Sequence, residues 1–188
     1  MVKKQYRYIG PILSELNSQL DRISSKEVAS LERVIMDSNR IFLAGAGRSG
    51  LIIEAFAMRL MHLGLDVKIV GDSVTPAARE DDLLLIASGS GETSSVAAIA
   101  RKAESNNLEI ALLTESRGST ISKLADKVIC LGSGGQNPEK DERQKIAQPL
   151  GSPFEHSLFI VLESLVSGLM DKKGVSEKEM EDRHANLE

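Results

Sequence analysis

The sequence predicts an α/β protein built on a doubly wound, five-stranded parallel sheet, with extra helices at its N- and C-terminal ends. Two observations carry that class. Five short β-prone runs, at 41–44, 67–70, 83–87, 110–114 and 128–131, alternate with helix-like segments at 51–63, 94–105 and 121–125. Alternating strand and helix implies right-handed crossovers between parallel neighbours. Most of the runs are also apolar throughout, as strands covered on both faces must be. The chain is 41% hydrophobic but only 3% aromatic and has no Trp, so aliphatic side chains have to fill the core.

Residues 1–38 hold two amphipathic helices. Pro11 opens the first, where Ile12, Leu16, Leu20 and Ile23 recur at helical spacing. Ser24 and Glu27 have capping-box spacing and start the second, which runs toward Met36. Residues 39–170 form the α/β core. Within it, 132–151 turns to Gly, Pro, Lys, Glu and Gln without periodicity and reads as a mobile loop. A long helix then begins near Pro153, with Phe154, Leu158, Val161, Leu162, Leu165 and Leu169 in one apolar stripe. The charged tail, 171–188, has room for one more short helix from Ser176. One domain is expected, since 188 residues lie within the roughly 100–200 typical of a single core.

Net charge is −4 and Lys and Arg form no long block, which sets aside nucleic-acid binding through a basic surface. The basic start has no apolar stretch behind it, and no apolar run approaches the ~20 residues of a bilayer span, so no membrane role is expected. Cys130 is the single cysteine and sits in an apolar run; a reduced, cytoplasmic protein follows as the expectation.

Ligands of a doubly wound sheet sit beyond the carboxyl ends of its strands, and two loops there have suitable chemistry. GAGRSG at 45–50 leads from the first strand into a helix, where Gly47 allows close backbone approach, Arg48 offers charge and Ser49 a hydroxyl. The same residues satisfy the dinucleotide fingerprint G-x-G-x-x-G, with Asp72 beyond the second strand as a ribose-binding acid, and a tight turn needing glycines explains them equally well. SGSGET at 88–93 separates these readings. It follows a strongly apolar strand and places Ser88, Ser90 and Thr93 at a helix N-terminus, with Gly89 and Gly91 between them. Hydroxyls, amides and helix dipole together match the oxygens of a phosphate monoester. Plain helix capping accounts for one of the hydroxyls and not for the set.

GAGRSG and SGSGET at the ends of alternate strands resemble the sugar isomerase (SIS) domain family, whose fold is flavodoxin-like. AFAMRLMHLG at 55–64, GDSVTP at 71–76, QPLGSPFEHSLF at 148–159 and RHANLE at 183–188 are similar to its 6-phospho-3-hexuloisomerase branch. Asp81, where a glycine is expected, and His156, where glutamine is frequent, depart from that pattern. The resemblance implies that Ser49, Ser88, Ser90 and Thr93 hold a substrate phosphate. It also implies a homo-oligomer, with a tetramer favoured and active sites at subunit boundaries. The implied reaction interconverts D-arabino-3-hexulose 6-phosphate and fructose 6-phosphate, in formaldehyde fixation or ribose 5-phosphate supply by the ribulose monophosphate route.

Moving a ketone from C3 to C2 takes a proton from C2, passes through a cis-enediol and returns a proton to C3. One base on one face can do both, while a second group shuttles protons between the oxygens. No redox cofactor or metal is demanded, and no His, Cys or carboxylate cluster has metal-ligand spacing. Glu155, at the start of the last helix, is the candidate base, although Ser152-Pro153-Phe154-Glu155 is itself a capping box that would occupy the same carboxylate. His62 is the candidate shuttle, against the reading of a buried structural histidine. His184 comes close if the tail folds over a neighbour's site. The alternatives are another isomerase of this fold, acting on arabinose 5-phosphate or sedoheptulose 7-phosphate, a non-catalytic sugar-phosphate-binding module, and a nucleotide-binding oxidoreductase built on GAGRSG.

Overall fold

Alternate side chains of each strand enter two separate apolar layers, which is why the strand runs are apolar throughout. A computed structural model describes residues 6–132 and 148–187. In it, strands β1 (Ile41–Gly45), β2 (Val67–Ile69), β3 (Leu83–Ala87), β4 (Glu109–Thr114) and β5 (Lys127–Cys130) form one parallel sheet in the order β2-β1-β3-β4-β5. On one face, Ile41, Leu43, Leu83, Leu85, Ala111 and Leu113 meet helices α2 (Ser25–Asp37), α3 (Gly47–His62) and α5 (Ser152–Lys173). On the other, Phe42, Ala44, Leu84, Ile86, Ile110 and Leu112 meet α4 (Ser94–Ser105). Every residue of β3 is buried, each large side chain stabilising by roughly 1.5–3 kcal/mol. Helix α1 (Ile9–Leu20) packs on α5, and the short α6 (Glu177–Glu181) returns to α3.

The five strands and the outer helices agree with the sequence reading, and four local features differ. Residues 121–125, expected as a helix, form hydrogen-bonded turns. Ser122 donates its hydroxyl to the carbonyls of Arg117 and Ser119, and the Ile121 N–H goes to Gly91 O at 3.1 Å, so local side-chain bonds displace the helical ladder. Helix α3 starts at Gly47 instead of residue 51, which puts Arg48 and Ser49 on a helix and not in a loop. The capping box at Ser152 is absent: Gly151 is the N-cap at φ +78°, and Ser152 Oγ donates to Pro149 O at 2.7 Å. The box at α2 is half formed. Ser24 Oγ accepts the Glu27 N–H, but the Glu27 carboxylate instead accepts from Arg117 and from Cys130 N, tying α2 to β5. Of the expected loop 132–151, residues 133–147 lie outside the described residues. Cys130 is a buried free cysteine.

At the amino ends of β1 and β3, Asp82 accepts from Arg40 Nε at 3.0 Å, Arg40 Nη2 at 2.6 Å and Arg79 N at 2.7 Å, with no side-chain exposure of its own. This buried pair fastens the end of the sheet opposite the candidate site.

Candidate functional site

The strand order makes β1 and β3 neighbours, with Gly45 in register with Ala87, while the helices that follow them lie on opposite faces of the sheet. Connections that diverge in this way leave a crevice beyond the strand ends. GAGRSG and SGSGET both open into it. Gly45 and Gly50 serve the turn itself: a Cβ on Gly45 would come within 2.9 Å of Gly50 Cα. Gly47 differs, with φ +57° and open space where a Cβ would stand. Gly47, Arg48 and Ser49 make the first turn of α3, where amide groups have no partner within the helix.

In the second loop Ser88 is buried and its Oγ accepts the Gly91 N–H at 3.2 Å; Ser90 Oγ, exposed, accepts from Glu92 N at 3.2 Å. A hydroxyl that accepts from an amide still has its own proton to donate. Thr93 is the N-cap residue of α4, yet its side chain makes no capping bond. Capping therefore does not explain this threonine, and its hydroxyl stands at the positive end of the helix dipole.

The loop is braced by the end of β4 and by a turn that overlaps the expected 121–125 helix. Gly91 adopts φ +64° against the 116–124 turn, where a Cβ would come within 2.0 Å of Ser119 Oγ. Glu92 accepts the Thr120 N–H at 2.7 Å, and that bond holds its carboxyl below the usual range. Thr114 Oγ1 and Glu115 N both donate to Gly89 O at 3.0 Å. Glu115 thus stands beside the loop at the end of β4, where burial pushes its carboxyl up. Its position one residue past an apolar strand was the available signal for it; the regular spacing of Ser116, Ser119 and Ser122 was the signal for the turn.

Helix α5 brings its first turn to the same place. A Cβ on Gly89 would meet the Phe154 ring at 3.0 Å, and the next residue, Glu155, is buried and paired with Arg48 Nε. Its carboxylate is therefore engaged across the crevice and not by the helix cap. His156 turns to Gln148, which reaches Glu15 of α1.

His62 is not in this group. It ends α3, about 20 Å from Ser49 at 1.5 Å rise per residue, and is buried beneath the chain's own tail. Arg183 donates to its carbonyl at 2.9 Å, and His184 stacks on its ring at 5.2 Å between centroids. Burial, then the charges of His184 and Arg59, hold its imidazole below the ordinary histidine value. Within one chain the structure brings together Arg48, Ser49, Ser88, Ser90, Thr93 and Glu155, and leaves His62 and His184 as a pair at the far end of α3.

Residues 34–137 match the SIS domain model. The chain is 43% identical over 185 residues to a 3-hexulose-6-phosphate isomerase of Bacillus subtilis (strain 168), covering 98% of this chain and 100% of that one. It is 40% identical to the 3-hexulose-6-phosphate isomerase of Mycobacterium gastri, over 94% of this chain and 88% of the relative. Among solved structures, a hypothetical protein from Methanococcus jannaschii superposes with a TM-score of 0.82 at 31% identity, over 97% of this chain and 100% of that one; its structure is described as inferring a 3-hexulose-6-phosphate isomerase function.

Proposed function

Because the chain belongs to the SIS domain family, we propose from its full-length similarity and its site that it is an isomerase interconverting D-arabino-3-hexulose 6-phosphate and fructose 6-phosphate. The observation that carries this reading is the meeting of two hydroxyl-bearing helix N-termini with one buried carboxylate at the β1/β3 crevice. Ser49, Ser88, Ser90 and Thr93 bind the substrate phosphate, with amides around Gly47 and Gly89 completing the donors, while the Gly91 amide is taken up by Ser88 within the loop. Glu155 takes the proton from C2 of the 3-ketose, its electron pair forms the C2–C3 double bond, and the C3 carbonyl oxygen gains a proton. The cis-enediol then loses its O2 proton and Glu155 returns a proton to C3. Turnover of 3-hexulose 6-phosphate by the purified protein, read as fructose 6-phosphate formed, tests the assignment; turnover of arabinose 5-phosphate alone overturns it. Changing Ser90 or Thr93 to Ala weakens fructose 6-phosphate binding by about 1–3 kcal/mol, the worth of a charge-assisted hydrogen bond. Calorimetry showing unchanged affinity in both variants removes the phosphate assignment.

The proton shuttle between O2 and O3 calls for a second copy. His62 and His184 reach such an enediol when the far end of α3 from one copy packs at the crevice of another, and a neutral imidazole there both gives and takes a proton. Apolar surface supports this arrangement. Leu51 and Met58, seven residues apart on α3, are 66% and 58% exposed, and Phe159 and Ile160 of the adjoining α5 are 45% and 43% exposed. A homo-oligomer, with a tetramer favoured, covers them. Sedimentation at micromolar concentration therefore shows an assembly, and a monomer counts against both the oligomer and the histidine roles. No helix among the described residues is long and apolar enough to cross a membrane. A cytoplasmic place in formaldehyde fixation, or in ribose phosphate supply by the ribulose monophosphate route, completes the reading.

A further inference from the structure

The ion pair between Arg48 and Glu155 joins two parts of the site that the reaction needs at different moments. Arg48 directly precedes Ser49 in the first turn of α3, and its side chain is 62% exposed; the side chain of Glu155 is 11% exposed and spans the crevice from α5. A carboxylate held by a guanidinium has lone pairs engaged, which makes it a poor acceptor for a carbon-bound proton. A phosphate bound next to Ser49 offers that guanidinium a doubly charged partner whose oxygens suit its fork geometry.

We propose that Arg48 is a positioning residue passed between two anions: without substrate it holds the Glu155 carboxylate in place, and the bound phosphate takes the guanidinium and frees the carboxylate to accept the proton. The inference rests on the phosphate site and the base proposed above. It couples binding to chemistry, because a sugar without a phosphate leaves the base occupied. It also makes Glu155 a competitor of phosphate for Arg48.

Calorimetric titration with inorganic phosphate at fixed ionic strength tests this in four proteins: wild type, Arg48→Gln, Glu155→Gln and the double variant. Arg48→Gln binds at least about tenfold more weakly, Glu155→Gln binds about threefold or more tighter, and the Glu155→Gln gain vanishes when Arg48 is also changed, as coupled neighbours require. A carboxylate that acts only as a nearby negative charge raises affinity when neutralised whether or not Arg48 is present, so the dependence of the gain on Arg48 is the deciding result. Glu155→Asp, one methylene shorter, is the second probe of the same release and shifts affinity in the same direction. A gain that persists in the Arg48→Gln background reports only the removal of a negative charge near an anion and overturns the proposal, as does a Glu155→Gln affinity at or below wild type. Ser90→Ala separates the two levels. If Ser90→Ala weakens phosphate binding while the Glu155 coupling is absent, the sharing of Arg48 fails alone; if Ser90→Ala and Arg48→Gln both bind as wild type, the phosphate site fails with it.

Discussion

Glu155→Gln lowers turnover at least about a hundredfold while the protein stays folded and continues to bind phosphate ligands. The amide keeps the size of the side chain and can still accept a hydrogen bond from Arg48, but it cannot take a proton from carbon. Gly151, not Ser152, caps α5, so the substitution removes no cap and the melting temperature remains near that of wild type. Exchange of the C3 proton of fructose 6-phosphate with deuterated solvent gives the sharper measurement, because it reports proton abstraction without net turnover. Exchange at the wild-type rate in the Gln variant would falsify the assignment of Glu155 as the base.

The largest expected effect on stability lies at the other end of the sheet. Asp82→Asn costs about 3 kcal/mol, in the range found when one member of a buried pair is removed, out of a total that for most domains is about 5–15 kcal/mol. The carboxylate accepts from both Arg40 nitrogens and from Arg79 N; an amide must turn its NH2 toward one of these donors and leaves the guanidinium without a counter-charge. Burial works to raise the Asp82 carboxyl, but the bonds from Arg40 and Arg79 outweigh it and hold the group below the usual range. A carboxyl lowered in the folded state contributes its full stability above its unfolded value and loses it as pH falls through the folded one. The gap between wild type and Asp82→Asn is thus widest at neutral pH and narrows below about pH 4, where an unfolded aspartate begins to protonate. Urea unfolding at several pH values measures it, and a gap that stays constant into acid would show that the charge of Asp82 contributes nothing.

Local signals were legible in the sequence, and the signals that failed are instructive. β3 could be read to the residue because a run with both faces buried has no polar interruption, and the hydroxyls of 88–93 stood out because they belong to one loop. The 121–125 segment failed because its helical spacing of apolar residues was outweighed by hydroxyls that bond the backbone across three to five positions. The start of α3 failed because glycines, poor helix formers in isolation, are required there by the close contact of Gly45 with Gly50. The capping box at Ser152 failed because Gly151 supplies the left-handed turn, and its failure is what leaves Glu155 available to the crevice.

By itself the sequence determined the five strands, the two glycine- and hydroxyl-bearing turns at the strand ends and the chemical types gathered there, since hydrophobic period and loop composition act over a few neighbouring residues. Tertiary structure alone decided which of those groups meet. Arg48 and Glu155 are 107 positions apart and come together because α3 and α5 share one face of the sheet. His62, fourteen residues after Arg48 on the same helix, is carried to the opposite end by a rigid rise of 1.5 Å per residue. Helix geometry therefore separates within one chain the two groups proposed as base and shuttle, and a long-range packing contact unites Glu155 with the guanidinium of Arg48.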